Sequence, residues 1–331
     1  MASLELGIVL GGGVDRASWA RALERVEQAE ALGLHSVWLP EGHFQPGATA
    51  SPLLALSAFA ARTRRLRLGT TSLLLPVHHP LHVAREVATL DRLSGGRVWL
   101  GLGRGFRAPL FRGYGVARRD KRDLFDQTLD AILAAWQPAA PDGANGALQP
   151  LQRPRPPLFV AAFGRKGLLQ AARRGLPYLA SPLETLDALA ENYAYHRERL
   201  APEIDADALP VAVLRTVHVA SDDAEARRVI EALETEAGRL SARAPAAIAR
   251  AGAGRARDRV LVGTVEPVAD ALAAYRGRIG LDLLIARTDV PGADASQRRA
   301  SLERLRFEVV PRFGTQRRSA VSPTRRPAPR A

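Results

Sequence analysis

The chain has 331 residues, enough to bury a full core as one large unit or two ordinary ones, and its 24% charged and 47% hydrophobic content is that of a globular protein. It has no cysteine, which excludes disulfides and thiolate metal sites, and its apolar runs fall short of the ~20 residues a membrane helix needs. The formal net charge is +13, but five arginines fall in 315–331, "TQRRSAVSPTRRPAPRA", and without them it is +8. The other arginines are scattered beside acids, so the sequence predicts a solvated surface rather than a nucleic-acid stripe.

In chain order, "LELGIVL" (4–10) is a short strand without the basic and apolar regions of a signal peptide, and a cytoplasmic protein is expected. Asp15 or Ser18 then caps a helix, "WARALERVEQAEALG", that Gly33 ends. The strand "HSVWLP" (35–40) precedes a helix with Ser51 as cap and Pro52 at its first position. "RLRLGTTSLLL" (65–75) leads into "HPLHVAREVATLDRLSGG", and "RVWLGLG" (97–103) follows. The remaining strands are "PPLFVAAF", "LPYLAS", "VAVLRTVHVA" and "LDLLIA", with helices over 120–136, 165–175, 181–200, 221–240, 264–280 and 296–310. None of these strands alternates cleanly, as suits burial on both faces. Eight strands interleaved with helices predict an α/β fold, a single (β/α)8 TIM barrel over 1–314. The Arg/Pro-rich segment 315–331 is expected to be a disordered basic tail.

The stretch "LSGGRVWLGLGRG" (93–105) places Gly101, Gly103 and Gly105 at the end of a strand. A dinucleotide-binding loop needs G-x-G-x-x-G running straight into a helix. Here Phe106 stands where the third glycine belongs, and "FRAPLFRGYGVARRDK" reads as a loop of about fifteen residues. At the C-terminal face of a barrel, Gly103 and Gly105 would let a ligand approach the backbone beside the cation of Arg104. The plainer alternative is a glycine-rich barrel corner with a surface arginine.

The segment "LGTTSLLLPVHHPLHVAREVATLDRLSGGRVWLGLGRG", with "HSVWLPEGHF" before it, closely resembles the bacterial luciferase-like flavin monooxygenases. The resemblance continues through "RPPLFVAAF" and "VGTVEPVADALAAYRGRIGLDLLIA", covering about 3–313. It implies a TIM barrel holding reduced FMN, or in one branch F420, at the C-terminal face. Arg104 matches the arginine that binds the flavin phosphate. Arg122 matches a second basic residue, although Lys121 replaces the usual serine before it; alternatively Arg122 is a helix-surface arginine. Gly164 stands where a serine often lies, so the amides of the following helix, with Arg165 or Lys166, would take over that contact. Thr71 and Ser72 match a pair often joined by a non-prolyl cis peptide under the flavin ring, or form an ordinary strand end.

The departures bear on the chemistry. In "EGHF" the first of the luciferases' paired histidines is Gly42, which argues against luminescence. His43 is left as the candidate catalytic acid or base, with a structural role as its alternative. His78 and His79 lie near the same mouth, and His79 is expected to form helix-entry hydrogen bonds. No metal-ligand spacing is present, so no metal is expected. The segment 241–259 is a shortened lid, or a disordered loop. The resemblance implies a flavin-dependent monooxygenase: reduced FMN from a separate flavin reductase and O2 oxygenate a small organic substrate through a flavin C4a-(hydro)peroxide. A homodimer is implied as well. An F420-dependent oxidoreductase and a non-catalytic flavin-binding protein are the alternatives.

Overall fold

The computed structural model describes residues 3–11, 15–44, 47–137, 149–162, 164–241 and 254–314. The basic tail over 315–331 and most of the candidate lid therefore lie outside the described residues.

Strands with both faces covered need apolar side chains on both, and the eight runs read from the sequence form a closed parallel barrel. Its strands are β1 (Glu5–Val9), β2 (Ser36–Leu39), β3 (Arg67–Leu74), β4 (Val98–Gly103), β5 (Leu158–Ala161), β6 (Tyr178–Ala180), β7 (Ala212–Val219) and β9 (Leu283–Arg287). Each pairs with its neighbours, and β9 closes onto β1 over Glu5–Val9. A further strand, β8 (Val260–Gly263), lies outside the ring and pairs with the C-terminal half of β7.

The helices are α1 (Arg16–Ala31), α2 (Pro52–Arg62), α3 (Pro80–Leu93), α4 (Ala108–Gly113), α5 (Lys121–Ala135), α6 (Arg165–Arg173), α7 (Leu186–Arg197), α8 (Asp223–Ser241), α9 (Val265–Ile279) and α10 (Ala295–Arg304). Among the described residues none is long and apolar enough to cross a membrane. α4 corrects the expected fifteen-residue loop: Pro109 near its start and Leu110 and Phe111 on its buried side make one short helix there. At α1, Asp15 accepts from the Ser18 amide at 2.7 Å and Ser18 Oγ accepts from the Asp15 amide at 3.1 Å, a reciprocal cap. Ser51 occupies the cap position of α2, but its side chain makes no capping bond.

The barrel interior is filled by Trp38, Phe159, Leu179, Ala212, Leu283 and Ile285, with Trp99 packed against them. Trp38 is fully buried and donates from Nε1 to Ser36 Oγ at 2.8 Å. Its ring requires a glycine on β3, since a Cβ at Gly69 would stand 2.2 Å from it.

At the opposite end from the strand C-termini, the "LDRLSGGR" segment is a clasp. Buried Arg97 donates to the carbonyls of Ala60, Thr63, Leu66 and Ser94 and to Thr63 Oγ1, fastening the end of α2 to the start of β3. Asp91 accepts from the amide and the side chain of Gln152 and from the Val98 amide. Buried charges persist only when bonded in this way.

Candidate active site at the barrel mouth

The C-terminal ends of β2 to β6 surround a cavity of about 710 Å³, within the range of small-molecule and cofactor sites. His43, Thr71, Ser72, Gly103, Arg104, Arg122, Gly164, Arg165 and Lys166 all line it. Residues from five separate elements thus meet at one place.

One wall is cationic. Arg104, Arg107, Arg118, Lys121, Arg122, Arg165 and Lys166 line the cavity, and Glu41 is the sole acid among the described lining residues. The Arg104 guanidinium reaches across to α6, donating to Gln170 Oε1 at 3.0 Å and to the Ala161 carbonyl, and lies 5.3 Å from the Phe125 ring centre. Burial, then the charge of Arg122, pushes its pKa down to about 10, so it remains charged at neutral pH. Burial and the charges of Arg118, Arg122 and Arg104 likewise lower Lys121, whose Nζ donates to the Gly105 carbonyl at 3.3 Å. A crowd of like charges with one acid among the described lining residues favours an anionic ligand.

α6 adds to this wall. Its N-cap is Gly164, which has no side chain to satisfy the first-turn amides, and such a helix start attracts anions. Gly167 lets Arg104 in, because a Cβ there would lie 2.7 Å from Nη2.

At the floor, Thr71 and Ser72 are joined by the cis peptide bond that the resemblance implied rather than forming an ordinary strand end. Thr71 Oγ1 is buried without a hydrogen-bond partner, so in this conformation it presents no hydroxyl to the cavity. The protein's own contacts account for the glycines at and just beyond the end of β4: a Cβ at Gly103 would lie 2.0 Å from Ser72 Oγ, and one at Gly105, where φ is +68°, 2.6 Å from Leu110. Close approach is required there, but first by neighbouring side chains.

The third wall is polar and centred on Glu41, whose side chain is inaccessible to solvent. Its Oε1 meets His43 Nε2 at 2.6 Å and His78 Nε2 at 2.8 Å, and its Oε2 accepts from the Leu74 amide at 2.6 Å. Burial opposes ionisation of Glu41, but these bonds outweigh it and leave the pKa below the ordinary value. For His78, burial opposes charging, and the Glu41 bond and charge, with Glu86 beyond, raise its pKa overall. His43 Nδ1 faces Tyr114 Oη at 3.1 Å, so both His43 ring nitrogens have partners within the protein. His79 is the N-cap of α3, yet its side chain makes no capping bond and its ring lies edge-on to His82.

Sequence reasoning missed Gly167 and Tyr114 and did not foresee the link from Glu41 to His78. The nearest signal was the position of "EGHF" and "PVHH" at the ends of consecutive strands.

A closed parallel barrel with an anion-seeking, ligand-sized cavity at its strand C-termini defines a TIM-barrel protein with its site on the usual active face. Residues 5–282 match the family described as luciferase-like monooxygenase, and the chain belongs to that family. A flavin-dependent trigonelline monooxygenase, oxygenase component, from Acinetobacter baylyi is 25% identical, covering 88% of this chain and 89% of that protein. An uncharacterized protein of Sinorhizobium fredii is 35% identical over 47% of this chain, which spans about half (49%) of that relative's length. Among solved structures, the oxygenating constituent of 3,6-diketocamphane monooxygenase from Pseudomonas putida, in complex with FMN, superposes with a TM-score of 0.75 at 19% identity, covering 95% of this chain and 100% of the other. An F420-dependent secondary alcohol dehydrogenase gives 0.72 at 20% identity, covering 95% and 100%. These two likenesses concern the fold.

Proposed function

We propose that the protein is a flavin-dependent monooxygenase that uses reduced FMN, supplied by a separate reductase, and O2 to oxygenate a small organic substrate. The observation that carries this reading is the cationic wall. Arg104, Arg122, Lys166 and the uncapped start of α6 converge beside a cavity large enough for more than a phosphate. This donor set fits a phosphomonoester dianion, which seeks charge-assisted bonds and helix amides together. Family membership supplies the flavin part of the reading, and the oxygenase component of the trigonelline enzyme supports a partner reductase. We extend the reading to a homodimer located in the cytoplasm.

Bound here, reduced FMN supplies the electrons that activate O2. The chain's own residues do the rest. Arg104 and Arg122 hold the phosphate, with Arg165 or Lys166 completing its neutralisation. Leu74, Leu110, Leu179 and Leu214 line the cavity and exclude water. His43 is the candidate acid–base group lining the cavity, and it acts on a ligand once Tyr114 releases Nδ1.

Titration of the purified protein with FMN, reduced FMN, riboflavin and F420, with oxygen uptake followed under reducing conditions, tests the reading. Binding of reduced FMN with flavin-dependent oxygen consumption is the expected result. Binding of F420 in preference, with hydride transfer and no oxygen uptake, replaces it with the deazaflavin alternative.

A further inference from the structure

Two histidines share one carboxylate oxygen at the edge of the cavity. A carboxylate accepts and never donates, so both Nε2 atoms must carry hydrogen to bond Glu41 Oε1 at 2.6 and 2.8 Å. Neutral His43 is thereby fixed with its lone pair on Nδ1, where the Tyr114 hydroxyl donates. His43 lines the cavity and its side chain is 6% exposed; His78 is outside the lining and 27% exposed. One histidine thus faces a ligand and the other faces water, with a single negative charge between them.

We propose that His78 is a positioning residue for His43: the two compete for the charge of Glu41, so that a proton on one opposes a proton on the other. One imidazolium beside the carboxylate leaves the cluster neutral. A second would leave it positive, at the edge of a cavity already lined by seven cationic side chains. Two other titratable groups act on the cluster. Tyr114, just beyond α4, is neutral at physiological pH, since burial and the Glu41 charge raise its pKa. Glu86, on α3, adds a negative charge that acts on His78. That charge favours the shared proton on the outer histidine, while His43 Nδ1 stays engaged by the Tyr114 hydroxyl. Sites coupled in this way titrate as a pair. The use of this proton in oxygen transfer rests on the proposed function, whereas the sharing itself does not.

The test is a histidine NMR titration of the full-length, ligand-free protein. In the wild type, His43 and His78 are expected to titrate together in two steps. His78→Ala returns the whole Glu41 charge to His43, whose midpoint should rise by about one pH unit. His78→Asn, which keeps a hydrogen bond to Glu41 without the positive charge, should produce most of the same rise, as a purely structural role would not. Glu41→Gln should lower both midpoints. An unchanged His43 midpoint in folded His78→Ala and His78→Asn overturns the proposal. Under the proposed function, the histidine limb of the turnover pH profile should move upward in the same variants. A protein that consumes no oxygen would defeat the flavin reading and leave the NMR result standing.

Discussion

Arg104→Ala separates the phosphate from the rest of the flavin. In the folded protein the guanidinium is anchored by Gln170 and the Ala161 carbonyl, with Phe125 beneath it, so it meets a ligand already oriented. Hydrogen bonds to charged groups contribute about 1.5–3 kcal/mol, and each 1.4 kcal/mol is tenfold in affinity. Loss of the phosphate contact should therefore weaken FMN binding roughly tenfold to hundredfold. The same anchors mean that the variant also loses stability, because two interior bonds disappear with the charge. Binding should accordingly be measured by flavin fluorescence quenching well below the variant's own melting midpoint. Riboflavin, identical but for the phosphate, is the internal control and should change by less than about twofold, a few tenths of a kcal/mol. Arg104→Lys keeps the charge without the planar fork and should fall between. Equal losses for FMN and riboflavin would refute the phosphate assignment and reduce Arg104 to a strut between β4 and α6.

Thr71→Val removes a buried hydroxyl that has no partner, so thermal stability should hold or rise, by about 1 kcal/mol at most, with FMN affinity unchanged; a fall in affinity would show that the hydroxyl turns toward the ligand. Arg97→Met leaves four carbonyls and a threonine hydroxyl without their donor, and denaturant titration should register a loss of about 3–5 kcal/mol; a marginal loss would contradict the clasp. His43→Ala should keep FMN binding but lower turnover by about 10²–10⁴-fold, and full turnover on the true substrate would make His43 structural. Glu41 has a lowered pKa, so its bonds stabilise the fold above the ordinary carboxylate range and are lost as pH falls through its folded value. Acid unfolding of Glu41→Gln should therefore lack that part of the pH dependence, and an identical acid transition would argue against it.

The barrel was legible because its strands are buried on both faces and so stand out as short unbroken apolar runs. β8 was not: "VLVG" is four residues long, lies against the start of α9, and among the described residues pairs with β7 alone. α4 escaped because a single short helix, opened near a proline and closed by Gly113, has no readable period. The cationic wall was legible at Gly103 and Arg104 because they close a strand, and at Arg122 only through the family resemblance. Its other half was not, because Gly167 matters through Arg104, which is distant in sequence. Tyr114 contacts His43 across 71 residues and from within what read as a loop. The "LD-x-x-S-x-GR" pattern marked the family correctly, yet its arginine and aspartate work at the far end of the barrel.

The tryptophan that closes the barrel interior has a kinetic consequence. With Trp38 and Phe159 wholly buried across the tube, the cavity is closed on the side of the barrel interior, so its ligands come and go at the strand C-termini. Whatever enters last stands in the way of whatever entered first. Two ligands sharing that end would have to arrive and depart in a fixed sequence, the deeper-seated one loaded before its partner. A slow escape of the outer molecule would then trap the inner one, and turnover would be governed at the doorway rather than at the floor.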